Sequence, residues 1–582
     1  MLIFIKGRIM KKAFMLGTAL ILSNQVMADA SDLHYQYSTP YSGGANLTII
    51  NHGTTPVTIS QVKFTSNAGI SGAPWGSLWG WQSVLSSTAN PDGMHTDFLV
   101  TETPTITLAA GASAVLSYNI DNKNIGGPLA PYNAAMDPVQ VSLVLGTDTS
   151  ATPIAIDGIC SGDACQDPGH GKRIVGYYPN WAYWRTPKFT ADNIPYDKIN
   201  TLAYAFAIFD KDGSVSLYDA DSDAANLPIV SQARKKRPYL NASLSFGGWS
   251  WASTPPNWQC QVGSSPQGPA ACFSVMTADP TAMSRFVSNA VAAMKELNFN
   301  GIDIDWEYPT SSAADASNYV TLLTQLRQAL DAQGKEDSTH YYLSIAGAAA
   351  SDKIQQISNE QWQAIASVVD DIGVMTYDFH GAFDIGQVGS DFMSAMALDP
   401  ILDPTYTNPV LSQYNVIDAM NAYVTAGVPK DKLLVGIPVY GRMINIASAG
   451  SNQGLYQPIT GVPQGEWDNA QSGDTGMLNY NCIVDASTCG NSFKLPALTL
   501  VNPDTSDLGK YAHTPWAYAN NLFVTYDDAN SAIYKTKWLL ANGFGGAMMW
   551  DLSGDFPAND TRSIVNVVQQ QMQTQVPFRS RA

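Results

Sequence analysis

The run Phe299-Asn300-Gly301-Ile302-Asp303-Ile304-Asp305-Trp306-Glu307-Tyr308-Pro309 sets three carboxylates at alternate positions. Asp303, Asp305 and Glu307 interleave with Ile302, Ile304 and Trp306. This is the period of two of a β-strand, so the three acids share one strand face. Acids that close repel one another. A fold tolerates them where its surroundings hold some protonated or hydrogen-bonded. Carboxyl groups whose pKa values are pushed apart suit acid and base work on glycosidic bonds. A solvated acidic edge strand is the plainer reading, and the flanks argue against it. Asn300-Gly301 turns the chain into the strand and Tyr308-Pro309 ends it, while the aromatics beside the last acid suggest a pocket.

Apolar strand-like runs alternate with helical stretches from about residue 172 onward. The runs are Arg173–Tyr178, Ile199–Ala207, Tyr239–Phe246, Gly301–Trp306, Tyr341–Ala346, Ile372–Tyr377, Leu433–Val439 and Phe544–Trp550. Eight such strands with covering helices predict an α/β fold, the (β/α)8 barrel, with its active site at the carboxyl ends of the strands. Chemically notable residues fall there. The first strand leads into Trp181 and Trp184, and the third ends in Ser245, Gly247, Gly248 and Trp249. The fourth carries Glu307, and the sixth ends in Met375, Tyr377, Asp378 and His380. The seventh runs into Tyr440 and Arg442, and the eighth ends in Trp550 and Asp551. Between the seventh and eighth runs lie about a hundred residues, too many for a plain loop. They predict an inserted small α+β domain at about 445–532.

Ahead of the barrel the pattern differs. Residues 1–28 read as a secretory signal peptide, with basic Lys6, Arg8, Lys11 and Lys12, a short apolar run and a small-residue cleavage site. Met10 is an alternative start. Residues 29–157 carry short β-rich runs between Gly, Pro and Asn turns, as in a β-sandwich. Its Trp75, Trp79 and Trp81 are either a stacking platform for sugar rings or core. Residues 158–171 read as a linker, and 571–582 as a loose tail. Removing the four basic residues of the signal takes the net charge from −18 to −22. Nucleic acid and anionic membrane are therefore excluded as expected partners, whereas a neutral polymer is compatible. No later apolar run is long enough for a membrane helix. The cysteines fall into local pairs, Cys160/Cys165, Cys260/Cys272 and Cys482/Cys489. Six allow 15 connectivities, and export with such close spacing favours three small disulfide loops. No cysteine has a His at zinc spacing, so neither a metal nor another cofactor is expected.

The acidic strand resembles the D-x-x-D-x-D-x-E signature of glycoside hydrolase family 18, the chitinases, with Asn300 in place of its first Asp. Ser245–Gly248 resembles that family's S-x-G-G motif, MTYDFHGAF its sixth-strand block, and VYGR and GGAMMWDLSGD its last two. The resemblance covers about 172–565. It implies a secreted, monomeric chitinase binding chitin or N-acetylglucosamine oligosaccharides, with an insertion like that of bacterial chitinase A forming a groove wall. It also implies a retaining, substrate-assisted mechanism. Glu307 would be general acid and base, Asp305 would orient the acetamide N–H, and Asp303 would share a proton with Asp305. Tyr377 would bond the acetamide oxygen, and Asp378 the sugar. Trp550 would floor the −1 subsite. Met375, Tyr440, Arg442, Trp181, Trp184, Trp249 and Phe383 would line the groove, core packing being the plainer reading of any single aromatic. Trp251 and Trp258 are read as core. Ser245, Gly247 and Gly248 are read as small spacers beside Asp303, and Asn300 as removing one charge near it. Two alternatives remain open at this point: an endo-β-N-acetylglucosaminidase acting on glycoprotein glycans, and a chitin-binding lectin without catalysis.

Overall fold

In a computed structural model the chain forms two compact units, residues 1–158 and 159–582. The structure describes residues 33–574 except 42–43, 52, 67–68, 77–85, 90–95, 122–137, 147–153, 159–166, 218, 238, 250–260, 263–264, 267–271, 311, 313, 338 and 470–472. The proposed signal peptide, Trp79, Trp81, Trp251, Trp258, Cys160, Cys165 and Cys260 lie outside these residues, as does the side chain of Trp75. No described helix is long and apolar enough to cross a membrane.

The described elements of the first unit are all β-strands. Strand Ile154–Gly158 pairs with Pro138–Leu145 on one side and Leu33–Tyr41 on the other, joining two halves in one hydrogen-bonded order. Alternation buries Leu47 and Ile49 in one half and Val141 and Leu143 in the other. Within Val57–Ser66 a bulge between Ile59 and Gln61 shifts the alternation, so Ile59 and Val62 both face inward.

In the second unit the strands are β1 (Arg173–Pro179), β2 (Thr201–Phe209), β3 (Asn241–Gly247), β4 (Gly301–Asp305), β5 (Tyr342–Gly347), β6 (Asp371–Val374), β7 (Leu433–Pro438) and β8 (Gly546–Trp550). Each pairs in parallel with the next, and β8 pairs with β1, closing the barrel. The eight apolar runs become these strands with ends moved by a few residues. Side chains pointing inward, among them Val175, Ala203, Ala346, Leu434 and Met548, fill the barrel. A larger core lies between the strands and the helices.

The helices are specified locally. Asp279 caps Pro280–Glu296, and Pro280 needs no N–H at that position. Ser358 and Gln361 form a capping box at Asn359–Val368. The helix Asp315–Asp337 buries Tyr319, Leu322, Leu323, Leu326 and Leu330, an i, i+3, i+4, i+7 stripe. After β1 no α-helix forms. The short 3-10 turn Asn180–Trp184 takes its place.

One residue past β7, strand Tyr440–Ile446 opens a second sheet. It pairs antiparallel with Leu522–Tyr526, Ile459–Gly461 and Met477–Asn479. Trp516–Ala519 and Thr499–Val501 complete the sheet. The only described disulfide whose two cysteines are both placed, Cys482–Cys489, lies in this inserted region. Cys272 is disulfide-bonded too. Buried Ile444, Trp516 and Phe523 pack with Phe392 and Leu398 from the β6–β7 connection, which seats the insertion on the barrel rim.

Candidate active site

Strand register sets the centre of the site. Ser245 on β3 and Ser344 on β5 lie directly opposite Asp303 on β4. The Ser245 hydroxyl donates to Asp303 Oδ2 at 2.6 Å, and that of Ser344 to Oδ1 at 2.7 Å. The Tyr177 hydroxyl, from β1, adds a third bond to Oδ2 at 2.8 Å. Asp303 is therefore held by hydroxyls and exchanges no bond with Asp305. Burial raises its carboxyl pKa, and the three donors only partly offset that.

Asp305 follows on the same face and is buried, and its Oδ1 has no hydrogen-bond partner. Burial, then the neighbouring Glu307 and Asp303 charges, push its carboxyl well above the usual carboxylate range. A buried oxygen left unpaired costs about 1–3 kcal/mol, so a ligand N–H placed there would bind favourably. Glu307 stands half-buried just past β4. Burial raises its pKa to about 7, the nearby Asp378 adds to the rise, and a hydrogen bond from Tyr308 opposes it. Glu307 is thus a proton donor near neutrality.

Gly247 lets β3 close on this row. Its φ of 121° suits glycine, and a Cβ there would lie 2.1 Å from the Asp305 carbonyl oxygen. Ser245, expected to be a spacer, is instead a hydrogen-bond donor to Asp303.

Across the barrel mouth the Tyr377 hydroxyl meets the Met548 thioether at 3.7 Å, a weak acceptor that leaves it able to serve a ligand. Burial and the surrounding carboxylates raise its pKa well above normal, so it stays a donor. Asp378 adopts a left-handed φ of 56° and takes two bonds from Arg442, at 2.8 and 2.6 Å. That fork fixes the carboxylate plane. Tyr440 packs edge-on to Tyr377, with ring centroids 6.0 Å apart. Met375 is buried in the barrel interior with Tyr177 and Met548, beneath the polar groups.

Trp550 lies among Tyr177, Trp181 and Phe206, with centroids 5.5, 6.2 and 5.9 Å away. Trp181, Trp184, Trp249 and Phe383 are 40%, 54%, 62% and 51% exposed, so the core reading fails for these four. The sequence reading missed Tyr177, Ser344 and Phe206. Ser344 had left a signal, a small polar side chain two residues before Ala346 on the inward face of a barrel strand.

Asn300 is a correction. By alternation it lies with Ile302 on the face opposite the acids, at the entry end of β4. Its side-chain oxygen accepts from the Ala242 N–H at 2.8 Å. It ties β4 to β3 and takes no part in the charge balance around Asp303. Asn300→Asp keeps that acceptor, so kcat/KM is expected to stay within about twofold, with an unmoved pH profile. Parallel pH–rate curves of the two proteins check this.

A closed parallel barrel with a buried carboxylate row and a neutral-pH proton donor at the end of β4 defines a glycoside hydrolase. The model of glycosyl hydrolases family 18 matches residues 173–555, and the chain belongs to that family. It is similar to Chitinase A1 of Niallia circulans, 30% identical over 439 residues, which cover 66% of this chain and 56% of that protein. The chain thus spans little more than half of that relative's length. It is also similar to Chitinase 1 of Aphanocladium album, 27% identical over 73% of this chain and 91% of that one. Among solved structures it resembles the Group IV chitinase of Ostrinia furnacalis in complex with allosamidin. The TM-score is 0.57 and the identity 25%, covering 69% of this chain and 99% of the other.

Proposed function

We propose that the chain is a secreted chitinase that cleaves β-1,4 N-acetylglucosamine linkages of chitin and its oligosaccharides with retention of configuration. The names of the relatives support the substrate. The mechanistic reading rests on one observation: Asp303 is engaged by three hydroxyls, while Asp305 keeps an unpaired oxygen beside Glu307, whose pKa burial raises to about 7.

Glu307 gives its proton to the leaving glycosidic oxygen. The acetamide oxygen of the −1 sugar attacks the anomeric carbon in place of a protein nucleophile, forming an oxazolinium ion. Asp305 accepts the acetamide N–H and offsets the positive charge, while Tyr377 donates to the acetamide oxygen. Glu307, now a carboxylate, takes a proton from the water that opens the ring. Trp550 supports the sugar face, and the exposed aromatics of the rim extend the groove. The mature protein is exported by its amino-terminal segment, works as a monomer and needs no cofactor.

Because Glu307 must start protonated, kcat/KM is expected to fall about tenfold per pH unit above about 7. The same shift bears on stability. Burial raises the folded-state pKa, so the contribution of the neutral carboxyl is complete below the unfolded value. It is lost as pH rises through about 7. Rate profiles and thermal melts from pH 4 to 9 check both signs.

The deciding experiment is hydrolysis of fluorogenic chitobioside and chitotrioside beside a high-mannose glycoprotein. Cleavage of the chito-oligosaccharides supports the proposal, and their relative rates separate exo from endo action. Activity on the glycoprotein alone would replace it with an endo-β-N-acetylglucosaminidase. Chitin binding without any cleavage would replace it with a lectin.

A further inference from the structure

The residue that follows the exposed aromatic turn, Arg185, points inward, and its side chain is 13% exposed. Its guanidinium meets three segments. It donates to the Ser553 hydroxyl and lies 3.8 Å from Asp551 Oδ1, just after Trp550. It also lies over the ring of Trp467, 4.9 Å from its centroid. Trp467 belongs to the insertion and is itself confined, since a Cβ on Gly490 would lie 1.9 Å from its ring. Beside it, the buried Glu466 accepts from the Gly490 N–H at 2.6 Å and the Asn479 N–H at 2.8 Å. A backbone bond from Asn491 to the Thr186 carbonyl, 2.8 Å, ties the same two segments again. Asp551 is held in turn by the Ser553 N–H at 2.8 Å. The Trp550 ring then contacts Tyr177, which donates to Asp303.

We propose that Arg185 is a positioning residue for the −1 sugar: it sets Trp550 and the Trp181–Trp184 turn against Glu307, and the insertion acts on the site through the grip of Trp467 on Arg185. The inference rests on the chitinase reading. A guanidinium suits this place because its planar fork bonds hydroxyl and carboxylate at its edge while an indole stacks on its face. An ammonium keeps the charge and can meet only part of that set. Placement of the indole floor matters for rate because a misplacement on the order of 1 Å costs roughly a hundredfold in an oriented reaction.

The test uses the full chain with Arg185→Lys, Trp467→Phe and the double variant on fluorogenic chitobioside and chitotrioside. Arg185→Lys is expected to lower kcat/KM about tenfold to a hundredfold on both substrates, mainly in kcat, with the pH profile in place. Trp467→Phe should act in the same direction more weakly. The double variant should be no slower than Arg185→Lys alone, because the two residues act through one contact. Near-ultraviolet circular dichroism should change in Arg185→Lys while the far-ultraviolet spectrum does not. Rates within twofold of wild type, or additive losses in the double variant, would overturn the proposal. A wild type inert toward both substrates would defeat the chitinase reading instead. The near-ultraviolet comparison needs no substrate and would still decide whether Arg185 positions the indoles, an unchanged spectrum counting against it.

Discussion

Glu307→Gln is expected to lower kcat by about 10³–10⁴-fold while chito-oligosaccharide binding survives. The amide matches the carboxyl in shape and fills the same half-buried place past β4. It cannot give a proton to the leaving oxygen or accept one from water, so both halves of the cycle fail. Binding persists because the groove does not depend on that proton. Trp550, the exposed rim aromatics and the Asp378–Arg442 pair are untouched. The alkaline limb set by the group at about 7 should vanish from the residual rate. Fluorogenic assays together with calorimetric titration of chitotetraose measure both quantities. Turnover within tenfold of wild type would show that another group donates the proton.

Asp305→Asn is expected to cost about 10²–10³-fold in kcat with little change in KM. Burial and the two neighbouring carboxylates favour the neutral form of Asp305 before substrate binds. An acetamide N–H at its unpaired oxygen and positive charge on the ring both favour the carboxylate, so Asp305 releases its proton to solvent as substrate binds and its charge stands where the transition state develops its own. Asn keeps the shape and an acceptor but removes that charge, which is why the loss belongs to kcat. Asp305 is neutral while Glu307 titrates and adds nothing to the rise at Glu307, so the alkaline limb of kcat/KM should stay in place. A full pH series of kcat and KM tests this. An unchanged kcat would remove Asp305 from the mechanism.

Much of the site was legible as local order. The period of two put Asp303, Asp305 and Glu307 on one face because backbone geometry alone dictates that alternation. Apolar runs at intervals marked the eight strands, and the barrel rule then placed Glu307, Tyr377, Arg442 and Trp550 at one end. The over-long connection after β7 marked the insertion, whose sheet begins earlier, at Tyr440, since the chain passes from β7 into it across the single residue Val439.

What tertiary structure decided was which distant residues meet. Ser245 and Ser344 reach Asp303 because β3 and β5 pair with β4 in one register, and a slip by one residue would turn both away. Tyr177 reaches it from β1, three strands away in the closed sheet. Spacing along the chain carries none of this. Asn300 shows the same limit: its place in a motif suggested a charge role, while strand alternation and the Ala242 N–H gave it a structural one. Arg185 gains its role only where the insertion and the end of β8 close around it. Sequence periodicity determines faces and ends, because they follow from each residue's own backbone. Partners across strands and insertions follow from pairing register and packing, which exist only once the chain has folded.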